Sequence, residues 1–245
     1  MPIGTQDWAE EIRRRIRTSS LVVCDCTGMR PEVLFELGFA YGLGTPLLPV
    51  VEAGTRRDLP YWLRRSQVGE FHRQRDLGDV LASIESHLAD PSLRSRRGGP
   101  PPVPRLAVWM RPTDWSAQAV EQFQTLAQRE DLAAEIYSDQ DPSAKTLERA
   151  ALASFLVVTL DGTAWDAFAH YVCGAVVARP EAGYGAKQLA RRVVVVEPPD
   201  ARRREHTAEG LSRCEDSVVV AKPPTVLDEA RAFFTQLRQW IRQPK

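Results

Sequence analysis

The chain has 245 residues, with 43% hydrophobic and 26% charged side chains and a formal net charge of zero. That length allows one large or two small domains around a packed core. The charge balance excludes a bulk electrostatic attraction to nucleic acid or to a membrane surface, and a pI near 6.9 favours self-association near neutral pH. The N-terminal segment MPIGTQDWAEEIRRRIRTSS has no apolar run between its charges and is not a signal peptide. No apolar stretch approaches the roughly 20 residues a bilayer span needs. Four cysteines, Cys24, Cys26, Cys173 and Cys214, are too few for a disulfide framework, so a cytoplasmic, reducing setting is expected.

In chain order, residues 5–18 read as an amphipathic helix, with Trp8, Ile12 and Ile16 at spacing four. Residues 20–26 (SLVVCDC) read as a strand of nearly continuous apolar character, as in the middle of a parallel sheet covered on both faces. A short loop, 27–30, leads to Pro31, a residue suited to the first turn of a helix. That helix runs to about residue 43, with Gly44 closing it. Residues 47–51 are the next strand, 67–71 another, and 77–88 a closing helix. Residues 91–104 (PSLRSRRGGPPPVP) break the pattern and read as a hinge followed by a stiff spacer. Beyond it the expected elements are strand 105–110, helix 114–129, strand 133–137, helix 143–152, strand 155–160, helix 164–178, strands 192–197 and 217–221, and helix 225–242. Alternating strands and helices imply a doubly wound parallel sheet.

The two halves resemble each other. At one constant spacing Val22 meets Val158, Asp25 meets Asp161, Thr27 meets Thr163, Phe35 meets Tyr171 and Gly38 meets Gly174. After an insertion around 179–187, LLPVVE (47–52) meets RVVVVE (192–197). The expected architecture is therefore two flavodoxin-like or Rossmann-like doubly wound units in tandem, residues 1–90 and 105–245, joined by the 91–104 linker. The first lacks a counterpart of the strand–helix–strand at 105–140, so it is a truncated unit or its true start lies upstream of Met1. With those flanking elements missing, strand 20–26 is expected to be covered by the second unit or by another chain. Glu36 corresponds to Val172, so the second unit is expected to be inert.

The segment 23–46, VCDCTGMRPEVLFELGFAYGLGTP, carries the chemistry. It resembles the nucleoside 2-deoxyribosyltransferase-like and bacterial TIR-like superfamily. That group has a strand ending in Asp-x-Thr, a Gly-x-x-Pro-Asn turn, a helix with Tyr/Phe-Glu-Leu-Gly-x-Ala and a Gly-Lys-Pro turn. Asp25, Thr27, Gly28, Pro31, Val33, Phe35, Glu36, Leu37, Gly38, Ala40 and Pro46 match; Glu32 stands where the family has Asn, and Thr45 where it has Lys. The resemblance implies a catalytic carboxylate, Glu36, that cleaves an N-glycosidic bond. It also implies substrate binding by Asp25, Thr27, Gly28 and Pro31, and NAD or a (deoxy)nucleotide as substrate. No cofactor or metal is implied, and the role would be an effector in bacterial defence or signalling; the Arg-, Ala- and Pro-rich composition suits a bacterial source.

The residues read independently in a compatible way. Asp25 and Thr27 stand at the carboxyl end of a strand, where ligands of doubly wound sheets bind. The helix that follows offers free N–H groups to a phosphate or ribose oxygen. Glu36 sits among Phe35, Leu37, Phe39 and Ala40, an apolar setting in which a carboxylate needs a partner or a purpose. It is expected to face a cleft at the carboxyl ends of strands 20–26 and 47–51, near Asp25 and Thr27. The bland readings are a solvated Glu36 and an Asp25 that caps its own loop. A non-enzymatic nucleotide-sensing or assembly module is the alternative function. Cys24-x-Cys26 reads as two small core residues, and His72, His87, His170 and His206 have no metal spacing. The arginines at 13–17, 94–97 and 202–204 read as solvated faces. Trp62 with Arg64 and Arg65 is only a weak signal for base stacking, and nucleic acid is not an expected partner. A homo-oligomer or partner chain is left open.

Overall fold

A computed structural model describes residues 5–64, 68–72, 78–89, 106–110, 112, 117–138, 143–160, 164–178, 193–196, 218–221 and 225–241. The linker 91–104 and the insertion at 179–187 lie outside these residues. The elements in order are α1 (Thr5–Thr18), β1 (Val22–Asp25), α2 (Pro31–Gly42), β2 (Leu47–Glu52), a 3-10 turn (Arg56–Asp58), α3 (Tyr61–Arg64), β3 (Gly69–Phe71) and α4 (Gly78–Ala89). They continue as β4 (Leu106–Met110), α5 (Ala117–Arg129), β5 (Ala133–Tyr137), α6 (Ala144–Ala151), β6 (Phe155–Thr159), α7 (Ala164–Ala178), β7 (Val193–Val196), β8 (Val218–Ala221) and α8 (Val226–Ile241). Among the described residues no helix is long and apolar enough to cross a membrane.

Every strand pairing is parallel. One sheet has the order β1-β2-β3 and the other β5-β4-β6-β7-β8. In order of appearance the five strands run 2-1-3-4-5, the doubly wound order of flavodoxin-like sheets. β4, β6 and β7 are buried along their whole length, which explains their unbroken apolar sequences: helices cover both faces. On one face Trp109, Phe123, Phe155, Phe233 and Phe234 interlock edge-on and tilted, with ring centroids 5.0–6.2 Å apart. These rings join β4 and β6 to α5 and α8.

The other face of the large sheet meets the small sheet through a pair of helices. α2 packs on β1 and β2, α7 packs on β6 and β7, and α2 and α7 pack on each other. The resulting core runs without interruption from Cys24, Phe35 and Val51 to Val108, Val158, Val172 and Val195. Glycine makes this possible. A Cβ at Gly38 would lie 2.7 Å from the Tyr171 carbonyl carbon, one at Gly42 2.9 Å from that of Ala175, and one at Gly174 2.8 Å from the Phe39 nitrogen. Each would also overlap a carbonyl oxygen of the facing helix. Contacts advance together along both helices, Gly38 with Tyr171 and Gly42 with Ala175, so α2 and α7 run in the same direction. Small residues four apart (Gly38 and Gly42; Gly174 and Ala178) let two such backbones touch.

The boundaries of α2 follow local chemistry. Pro31 occupies its first turn and Leu43 its C-cap. Gly44 adopts φ 70° and donates its N–H to the Tyr41 carbonyl, the left-handed exit that glycine makes without strain.

One expectation is overturned. β6 is central in its sheet, but β1 is an edge strand whose neighbour is β2. In the large sheet β4, β5 and α5 flank β6; among the described residues β1 has no such flank. Its apolar run is also buried on one face only. Val22, Cys24 and Cys26 face the core, whereas Val23 is 42% exposed and Asp25 is exposed. The contacts between the halves run through α2 and α7 instead of through the β1 edge.

Gly→Ala in a helix interior ordinarily stabilises by about 1 kcal/mol. At Gly38 the methyl group meets backbone, which cannot rotate away, and overpacking of this kind costs about 1–3 kcal/mol. Gly38→Ala is expected to lower the urea midpoint of the whole chain, with the sign opposite to the helix-propensity effect.

Candidate active site at the carboxyl end of the small sheet

β1 ends at Asp25, and the chain turns sharply to reach α2. The Asp25 Oδ1 accepts the Thr27 N–H at 2.9 Å, an Asx turn that fixes the exit from the strand. The Thr27 hydroxyl accepts the Glu52 N–H at 2.8 Å, so one side chain ties the end of β1 to the end of β2. Gly28 (φ 75°) and Met29 (φ 51°) take left-handed conformations, and Met29 N–H closes the turn on the Cys26 carbonyl at 3.1 Å. α2 then starts at Pro31, with Arg30 extended and no side chain capping the helix. Its first-turn N–H groups are left for another acceptor.

Glu36 lies on the second turn of α2 and is half-buried. Burial first, and the neighbouring Glu32 carboxylate second, hold its pKa above the ordinary value of 4.5. It accepts no hydrogen bond from the described residues. It stands near Cys24, whose thiol is pushed up to about 12 by burial, then by Cys26, then by Glu36. Cys26 is likewise pushed up to about 12 by burial and then by Asp25. Raised in this way, both thiols are poor nucleophiles at neutral pH. Among the described residues no His/Cys/Asp/Glu group could hold a metal ion.

The structure thus gathers Asp25, Thr27, Gly28 and Pro31 into one turn at the carboxyl end of the sheet. Glu36 is close enough to Cys24 for its charge to be felt there, and Asp25 is exposed. No hydrogen bond joins Glu36 to Asp25 or Thr27. Val172 on α7 is fully buried in the core. Glu52 enters the site through its main chain, a role with no signal in the sequence because it depends on the register Asp25 with Val50.

The remaining candidates fall elsewhere. His170 is buried in the core and His72 is exposed. The side chains of Trp62, Arg65, His87 and His206, Asp161 and Thr163, and the arginines at 94–97 and 202–204, lie outside the described residues. In the 13–17 run, Arg14 and Arg15 share Glu11 at 2.7 Å, and Arg17 lies 5.2 Å over the Phe39 ring, as a solvated helix face with one stacked member. A second polar cluster, absent from the sequence reading, joins β5 to α6. Glu135 accepts from the Tyr137 hydroxyl and from Arg149 at 2.8 Å. Burial raises the Glu135 pKa, but these partners outweigh it and leave the carboxyl below its ordinary value.

Compared with protein-family models, curated proteins and solved structures, the chain matches none.

Because the folded state raises the pKa of Glu36, it favours the protonated acid. That stabilisation is complete below the unfolded value of 4.5 and is lost as pH rises through the folded value. Glu36→Gln stays neutral throughout. It is expected to match wild type in acid and to be the more stable protein at neutral pH, by urea denaturation of both proteins at each pH.

Proposed function

We propose that this chain is a nucleotide-binding protein that cleaves an N-glycosidic bond of NAD or a nucleoside, with Glu36 as the catalytic carboxylate. The single observation that carries the reading is a half-buried Glu36 with a raised pKa, one helical turn beyond an uncapped helix N-terminus and a strand-end turn of the Asp-x-Thr type. In a retaining scheme the Glu36 carboxylate attacks the anomeric carbon as the bond to the base breaks; the cationic nicotinamide of NAD takes the electron pair and leaves neutral, whereas the base of a nucleoside takes the electron pair together with a proton from solvent water. Water then hydrolyses the glycosyl–enzyme ester and restores the carboxylate. Poor solvation, which raises the pKa, also makes the ionised carboxylate a stronger nucleophile. The free N–H groups of α2 would take a phosphate or ribose oxygen, and Asp25 would fix the Thr27–Gly28 turn and offer its other oxygen to a ribose hydroxyl.

The resemblance to the nucleoside 2-deoxyribosyltransferase-like and bacterial TIR-like superfamily supports the same reading, and the alignment of the two halves with each other suggests a tandem duplication. Gly38 sits against Tyr171, and Gly174, the residue aligned with Gly38, sits against Phe35, the residue aligned with Tyr171. That reciprocity is what two copies related by a local twofold axis would give, and β1-β2-β3 then answer to β6-β7-β8. In this scheme the second unit has lost the acid and serves as the packing partner of the first. That Glu36 accepts no hydrogen bond from the described residues favours the alternative, a nucleotide-sensing module without turnover.

Release of nicotinamide from NAD, and of free base from deoxynucleosides, should be measured for wild type and Glu36→Gln in parallel. A loss of about two orders of magnitude or more is expected in the variant. Equal turnover by both proteins removes Glu36 as the catalyst; binding of nucleotide without turnover by either selects the sensing module.

A further inference from the structure

Among the described residues no strand pairs with the outer flank of β1. Val22 and Cys26 donate their N–H groups to Pro46 and Val50 of the β2 side. The alternate residues, Val23 and Asp25, therefore direct their main-chain N–H and C=O groups outward from the sheet. Among the described residues nothing pairs with them. No proline, lysine or bulge lies in Val22–Asp25; the edge is blunted only by its shortness, four residues, and by the exposed Asp25 at its end. The face above it is open as well. Leu48 and Val50 of β2 are buried, and α4 packs against β2 and β3, yet Val23 beside them is 42% exposed. In the large sheet the corresponding flank of β6 is occupied: β4 pairs with it from Ala107↔Phe155 to Met110↔Val158.

We propose that a second copy of this chain docks on the β1 edge, pairing β1 antiparallel with its own β1 into a continuous six-stranded sheet. Three observations select a second copy. Identical chains of zero formal net charge meet without net repulsion. Edge-to-edge pairing about a twofold axis is isologous, so it uses both open edges and closes at two. The charges complement each other along the strand. With the outward groups of Val23 paired to those of Val23 in the other copy, Asp25 falls opposite Leu21 and Thr27 opposite Ser19. The acidic end of each β1 then lies beside the basic last turn of the other copy's α1, where Arg15 already pairs with Glu11 and Arg17 lies over the Phe39 ring. The register that sets Asp25 against Asp25 would oppose like charges and is disfavoured. Pairing at Val23 also shields that exposed side chain from water. It brings residues 19–21 of the second copy next to Asp25 and Thr27, on the flank that β4 fills in the large sheet. The interface does not depend on the chain being an enzyme.

Sedimentation velocity of the intact chain over a concentration series tests this, with Val23→Lys as the perturbation and Val23→Cys as a register probe. A reversible dimer is expected, with its dissociation constant raised about tenfold or more by Val23→Lys, since like charges face each other directly. Cα atoms in a hydrogen-bonded antiparallel pair lie about 5.5 Å apart, within disulfide reach. In a Cys214→Ser background Val23→Cys should therefore form a reductant-sensitive covalent dimer under mild oxidation, and the Cys214→Ser chain without it, whose remaining Cys24, Cys26 and Cys173 are buried, should not. A monomer at every concentration would overturn the proposal and leave the edge to a strand from a different protein. So would a dimer indifferent to Val23→Lys, or a Val23→Cys chain that oxidises no faster than its Cys214→Ser parent.

Discussion

Contact between the backbones of α2 and α7 is the constraint on which the rest of the structure depends. Without side chains at Gly38, Gly42 and Gly174 the two helices touch, and the two sheets they cover share one core. Burial in a layered α/β protein scales with the apolar area removed from water. A three-stranded sheet of short strands has little area of its own to remove. By packing α2 into the groove of α7, the small sheet borrows the cover of the large one. Cys24, Phe35 and Leu37 then belong to the same core as Val158 and Val195.

That packing also sets the position of the candidate site. α2 is pinned along its length by α7 and at its start by the Asp25–Thr27–Glu52 chain of hydrogen bonds. The second turn of α2, and Glu36 with it, is thereby pressed against β1 near Cys24. The raised pKa of Glu36 is a consequence of this placement: the same packing that stabilises the helix pair takes water away from the carboxylate, and Glu32 one turn earlier adds like charge.

Much of this is legible in the sequence because it is local. Pro31 and Gly44 mark the limits of α2, and the bounds expected for residues 133–137 and 164–178 are those observed. The apolar neighbours of Glu36 announce its burial. What is illegible depends on partners far away in the chain. SLVVCDC and SFLVVTL are equally apolar, yet one is an edge and the other a centre, because β4 pairs with β6 and no described strand stands in the same place beside β1. A strand's own residues do not encode its neighbours. The role of Glu52 has the same origin: its N–H reaches the Thr27 hydroxyl only because β2 lies beside β1 in the register Asp25 with Val50.

If the α2–α7 contact makes one cooperative body of the two sheets, native-state hydrogen exchange across a denaturant series will reveal it most directly. The amides to follow are those of Leu48 and Val50 in β2 and of Leu156 and Val158 in β6. Both sets are expected to converge on a single opening free energy with the same denaturant dependence, since neither sheet can lose the other's cover and remain closed. Exchange of the β2 amides through a separate, lower-energy opening while the β6 amides stay protected would contradict the account.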